Sequence, residues 1–234
     1  MFKRLLSRRL LIAEVGALCL VPVILFLCAY YQLEYTVLLT LAIVTASLLP
    51  FFISFEARKP RPRDFMPIVV LAALAAAGRI ICGPLPNIMP ITAIVIVAGA
   101  TLGRDAGFLT GALAALTSNM FFGQGPWTPW QMYGWGLIGF VAGLIYFGKE
   151  KPHIGGVLIF GCLSSFIYGF ILDSWHVVGF ISPLTWQSAL AGYGAGFIFN
   201  CAHALSTVAF LTLIFVPWSK KLERIKMKFG IRAL

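Results

Sequence analysis

Apolar residues run along this chain in long unbroken stretches, divided by short polar and basic segments. Most stretches are about 16 to 22 residues long, the length a helix needs to cross a hydrocarbon core of roughly 30 Å. Barrel strands would instead show short alternating segments, and open sheets leave their backbone unsatisfied in lipid. The pattern predicts eight helical spans, over residues 10–30, 36–55, 65–82, 88–103, 106–122, 131–148, 154–172 and 189–217. The fourth and fifth are short and are joined through Gly103, Arg104, Asp105 and Ala106, which predicts a tight helical hairpin. The first stretch follows Lys3 and Arg4 as a secretory signal would, but it is too long for an ordinary signal core and lacks an A-x-A cleavage site. Gln32 and Glu34 lead straight into the next stretch, so the first is read as a retained helix.

Composition agrees with the pattern. The chain is 60% hydrophobic and 11% charged, whereas a soluble domain is about a quarter charged. Charge adds orientation. With the N-terminus in the cytoplasm, every Lys and Arg except Arg79 falls in the N-terminal segment, an inner loop or the C-terminal tail. By the positive-inside rule both termini are cytoplasmic. The net charge of +10 therefore reads as contact with anionic lipid rather than with nucleic acid. The five cysteines, Cys19, Cys28, Cys82, Cys162 and Cys201, show no CxxC or Cys/His ligand spacing, so no metal, cofactor or disulfide framework is expected.

A charged, proline-punctuated segment at 56–64 divides the chain. It separates an accessory transmembrane hairpin, 1–55, from a six-helix core, 65–217, and a basic tail follows at 218–234. Small residues recur four apart in the core. Ala72/Ala76 and Ala73/Ala77 form strips suited either to internal packing or to docking of a partner helix. The ladder Gly99, Gly103, Gly107 and Gly111, with Gly139/Gly143 and Gly192/Gly196, reads as close packing and turn geometry.

Polar and aromatic residues gather on the expected outer side. They lie in three segments: Cys82 to Asn87; Ser118 to Trp135, with Asn119, Gln124, Trp127, Trp130 and Gln131; and Asp173 to Gln187, with Trp175 and His176. Tryptophan at an interface is the ordinary aromatic belt. Three between 127 and 135, beside Gln124, Gln131 and two prolines, describe a rigid aromatic wall with amide donors, suited to a planar or bulky small molecule. Polar side chains within spans are costly and point to function. Arg79 either snorkels to the interface or pairs with Asp173 or a substrate anion. Asn119, Tyr168, Tyr193 and Asn200 lie where they can share one cavity, whereas His203 reads as a hydrogen-bonded core residue and Glu14 as solvated or paired with an Arg. No HExxH, GxSxG, paired acidic motif or P-loop is present, so no enzyme chemistry is expected and any ATP hydrolysis falls to partners.

The stretch from Pro67 to Pro217 resembles the substrate-binding membrane subunit (S component) of energy-coupling factor transporters, the vitamin-uptake ABC systems of prokaryotes. The residues carrying the resemblance are Ala72-Ala73 with Ala76-Ala77, Pro86-Asn87-Ile88-Met89-Pro90 and Gly103 to Gly111. The block from Ser118-Asn119 to Gln131 and the stretch Asn200-Cys201-Ala202-His203-Ala204 to Thr207 complete it. It implies six helices in a prokaryotic plasma membrane and a vitamin bound from outside under the loops Gly83–Asn87, Gly123–Trp130 and Asp173–Gln187. It also implies docking of Ala72, Ala73, Ala76 and Ala77 on a shared transmembrane coupling subunit driven by two ATPases. The hairpin 1–55 departs from that plan. The tryptophan-rich block looks like S components for cobalamin or related corrinoids; thiamin or queuosine precursors are other candidates. A self-sufficient ion-coupled transporter, a non-transporting scaffold and an enzyme acting on a lipid or isoprenoid are the rival readings.

Overall fold

The computed structural model describes residues 2–31, 35–149 and 152–231, and for 2–9 the backbone only. Gln32, Glu34, Lys151, Arg232 and the side chains of Lys3, Arg4, Arg8 and Arg9 lie outside the described set. The described residues form eight α-helices: α1 (Phe2–Tyr31), α2 (Thr36–Ala57), α3 (Pro62–Ile81), α4 (Ile91–Leu102), α5 (Arg104–Phe122), α6 (Trp127–Tyr146), α7 (Ile154–Phe180) and α8 (Trp186–Phe229). Five are long and apolar enough to cross a bilayer: α1 from Leu10, α2, α3, α7 and α8. The chain is thus an all-helical, multi-pass membrane protein in its architecture.

Local chemistry explains the breaks. Pro62 opens α3 behind Arg61, whose backbone N–H donates to the Asp64 carboxylate, a capping arrangement. Thr185 and Ser188 cap α8 reciprocally. Between α4 and α5 the chain turns on Gly103 alone, at φ +110°, a conformation that L side chains rarely adopt.

The core is organised around α4. All twelve of its residues are buried, and α3, α5, α6, α7 and α8 surround it. A helix apolar but for Thr92 and Thr101, wrapped by other helices, is satisfied on every face. At 1.5 Å per residue it is about 18 Å long, short of a full crossing. Its seam with α5 and α6 is made of glycine: a Cβ at Gly99 or Gly107 would strike the Gly139 carbonyl, and one at Gly143 would strike the Arg104 backbone. The predicted reading of the ladder as close packing and turn geometry matches this seam.

Several helix ends differ from the sequence expectation, and α1 and α6 begin at Phe2 and Trp127 rather than at 10 and 131. The last helix, 44 residues long, does not end at 217 but continues through Pro217 to Phe229, so most of the basic tail is helical. The chain leaves the helix at Gly230, in the left-handed conformation with φ +56°. Helix α7 also runs two turns beyond 172, because Ser174 and Trp175 are buried against the bundle, and Asp173, Trp175 and His176 are helical rather than in a loop.

The α1–α2 hairpin is fastened to the core. Phe51 stacks on Phe108 with ring centroids 3.5 Å apart and meets Phe140 edge-on, and the Tyr133 hydroxyl donates to the Leu18 carbonyl at 2.7 Å. At the α4–α5 turn, Arg104 Nε lies 3.3 Å from Glu14 and 3.2 Å from Asp105, and Arg58 reaches Asp105 at 2.5 Å. Glu14 and Asp105 are fully buried, so Glu14 takes the paired alternative. Arg58, Arg61, Arg104, Lys149 and Lys226 thereby share one end of the bundle, the basic end, and Arg79 sits at the other.

Candidate functional site: the Arg79 network

Arg79 is on the last turn of α3, and its side chain turns inward. Its Nη1 donates to Ser118 Oγ at 2.6 Å and to Asn119 Oδ1 at 2.8 Å. Asn119 in turn donates through Nδ2 to Thr128 Oγ1 at 2.9 Å and to Gln131 Oε1 at 2.8 Å. Thr128 donates to Gln124 Oε1, and Gln124 Nε2 closes the chain on the Leu116 carbonyl, both at 2.9 Å. The guanidinium carbon lies 4.9 Å from the Phe122 ring centroid and 5.0 Å from that of Trp135, a cation–π arrangement. Ser118, Asn119, Thr128 and Gln131 are buried. No carboxylate among the described residues lies within ion-pair distance of Arg79.

The network continues inward through Trp135. Its Nε1 donates to Thr92 Oγ1 at 3.0 Å, and Thr92 also meets His203 Nε2 at 2.8 Å. Trp135 stacks on Tyr168 at 4.4 Å, and Tyr168 packs edge-on against His203 at 5.3 Å. His203 is therefore the hydrogen-bonded core residue that its position predicts. Side chains from α3, α4, α5, α6, α7 and α8 all enter this one assembly, which makes its geometry rigid.

A second cluster stands apart on α7 and α8. Asn200 donates to Asp173 Oδ2 at 2.9 Å, Ser174 Oγ lies 2.9 Å from the Tyr193 hydroxyl, and Tyr193 stacks on Phe170 at 5.3 Å. Gly169 and Gly196 make room: a Cβ at either would meet the Asn200 amide or the Asp173 carboxylate. Of the alternatives for Arg79, the pairing with Asp173 is not made: Arg79 takes Ser118 and Asn119, and Asp173 takes Asn200.

The aromatic wall is divided. Trp130 and Trp175 stack at 6.2 Å; both indole N–H groups are buried with no protein acceptor. Trp127 is partly exposed and covers Gly125. Trp130 and Trp135 belong to the packed core rather than to an open surface, because α6 begins at Trp127 and carries them inward, and Tyr168 is buried on α7. His176 is exposed and stacks on Phe180. Asn87 occupies a left-handed turn position at φ +56° in the α3–α4 loop, which accounts for an asparagine there. The alanine strip is split: Ala72 and Ala76 are buried inside the bundle, and Ala73 and Ala77 face outward. Adjacent helical residues point about 100° apart, so the two pairs cannot share one face.

Sequence reasoning passed over Thr92, Thr128 and Phe122 as site residues. Thr128, one turn beyond Gln124, carried a readable signal; Thr92 and Phe122 carried none beyond their helical positions. Cavities among the described residues lie away from the network. One of about 360 Å³ is lined by Cys28, Thr36 and residues 178–184, a second of about 360 Å³ lies between α3 and α8, and a third of about 270 Å³ lies near Thr101 and Lys149. Among the described residues no three His, Cys, Asp or Glu side chains converge as metal ligands, and the five cysteines are free.

The helical bundle with a buried polar network defines a membrane-protein class. More narrowly, the chain belongs to a family of unknown function, DUF6580, whose model matches residues 59–225. The match covers the six-helix core and leaves α1 and α2 outside it. No curated protein and no solved structure matches the chain.

Proposed function

We propose that this chain is the substrate-capture subunit of an energy-coupling-factor-type importer in a prokaryotic plasma membrane. It crosses the bilayer with both termini on the cytoplasmic side and binds a vitamin-like small molecule from outside. A shared transmembrane coupling subunit and two ATPases then deliver the ligand inward. Cobalamin or another corrinoid is the first candidate.

The observation that carries this reading is Arg79. A guanidinium held in a membrane-embedded bundle without a carboxylate partner is costly, and an anionic group on a ligand offsets that cost. Arg79 uses Nη1 for Ser118 and Asn119, so its remaining N–H groups are available to an incoming oxyanion. The phosphodiester of cobalamin is one such group. Phe122 lies over the guanidinium and against Gly83, so loading requires the 82–90 and 123–126 loops to part.

The test is thermal unfolding of the purified protein in detergent against a vitamin panel that includes cobalamin and cobinamide. A ligand at about 100 times its dissociation constant stabilises the native state by about 2.7 kcal/mol. A shift with one vitamin, lost in Arg79→Gln, supports the reading. Silence across the panel from folded protein would transfer the weight to an ion-coupled transporter or a scaffold.

A further inference from the structure

Near the basic end, α3 and the C-terminal half of α8 face each other across an open space. They leave an apolar groove of about 360 Å³ between them. Met66, Val70 and Leu74 form its α3 wall, one turn apart, and Trp218, Leu222 and Ile225 form the α8 wall. The three α3 side chains are 60%, 47% and 46% exposed, and their strip is about 12 Å long. The groove's foot is tied by Arg61 Nη2, which donates to the Gly230 carbonyl at 3.0 Å.

The same groove runs into a basic one. Lys221 and Ile225 line both, and the second adds Arg224 and Lys228. These cations lie at i, i+3 and i+7 on α8, all exposed, so they form a single row. None has a carboxylate within ion-pair distance among the described residues. The surface therefore offers an apolar slot leading to a row of uncompensated positive charge, at the end of the bundle where the other basic residues gather.

We propose that this groove binds an anionic phospholipid, with an acyl chain along Val70, Leu74 and Leu222 and the phosphate on Lys221, Arg224 and Lys228. A partner helix would fill the apolar part but would need a matching acidic row for the cations. One phospholipid supplies both chemistries in the right order. The proposal stands apart from the transport reading, since no residue of the Arg79 network takes part.

The test uses the full chain in phosphatidylcholine vesicles carrying a fixed fraction of brominated phosphatidylglycerol or brominated phosphatidylcholine. Trp218 sits in the groove, and subtracting the emission of Trp218→Phe isolates its signal. Brominated phosphatidylglycerol should quench it more strongly, and each of Lys221→Gln, Arg224→Gln and Lys228→Gln should reduce that preference by up to about fivefold. Val70→Phe, which narrows the slot without adding an indole and leaves the cations in place, should relieve quenching of Trp218 by either lipid. Equal quenching by the two lipids, or quenching that Val70→Phe leaves unchanged, would overturn the proposal.

Discussion

Asn119 shows how closely the candidate site is specified at single-residue scale. Its amide is bonded at both ends: Oδ1 accepts from Arg79, and Nδ2 donates both its hydrogens, to Thr128 and Gln131. Replacing Asn119 with Ala removes three hydrogen bonds at once, although Arg79 keeps Ser118 and Thr128 keeps Gln124. Hydrogen bonds within membranes contribute less than their burial implies, because the unfolded chain also finds partners there. The expected loss is therefore about 1–3 kcal/mol, measurable by detergent-denaturant unfolding. Asn119→Asp asks a different question, since it places a carboxylate beside Arg79. We expect the fold to survive and the ligand-induced thermal shift to vanish, because the substituted residue neutralises the cation internally. A full ligand shift in Asn119→Asp would show that Arg79 does not receive the ligand's anionic group.

At the scale of elements, the α4–α5–α6 seam depends on missing side chains. Gly107 and Gly139 face each other so closely that a Cβ on either meets the other's carbonyl. Alanine there overpacks a backbone-to-backbone contact, and we expect Gly139→Ala to cost about 1–3 kcal/mol. Gly194 in α8 has open space around its Cβ position, so Gly194→Ala should be neutral or slightly stabilising through helix propensity. Comparing the melting temperatures of the two variants separates packing from propensity. These elements were largely legible in the sequence, because eight apolar stretches became eight helices. The ends were less so: hydropathy does not register that Ser174 and Trp175 pack inward, and it falls away in the basic tail although α8 continues.

Across the whole molecule, the hairpin outside the family match is bonded to the core by the cluster of Glu14, Arg104, Asp105 and Arg58. Arg104→Ala leaves Glu14 without its charge partner in a fully buried position, and breaking a buried pair in this way costs about 3–5 kcal/mol. Unfolding of this variant, with Lys228→Ala as an exposed control, checks that figure. Topology is tested at the same scale: single cysteines introduced near Gly123 and Lys149 in a cysteine-free background should label from opposite sides of intact cells. Labelling from one side would contradict a crossing by α6, which lies between the two positions.

The sequence by itself determined the class, the number of helices and the gathering of basic residues at one end. These depend on local composition and on the length of apolar runs, which act residue by residue along the chain. It also marked Arg79 and Asn119 as costly polar residues within spans, and Gln131 as an amide donor of the outer aromatic wall. Only the tertiary structure decided which partners they take: Arg79 meets Ser118 and Asn119 rather than Asp173, and the alanine strip divides between core and surface. The physical reason is that pairing depends on helix rotation and close approach. Both are set by contacts such as the Gly107–Gly139 seam between residues far apart in sequence, and no local pattern encodes them.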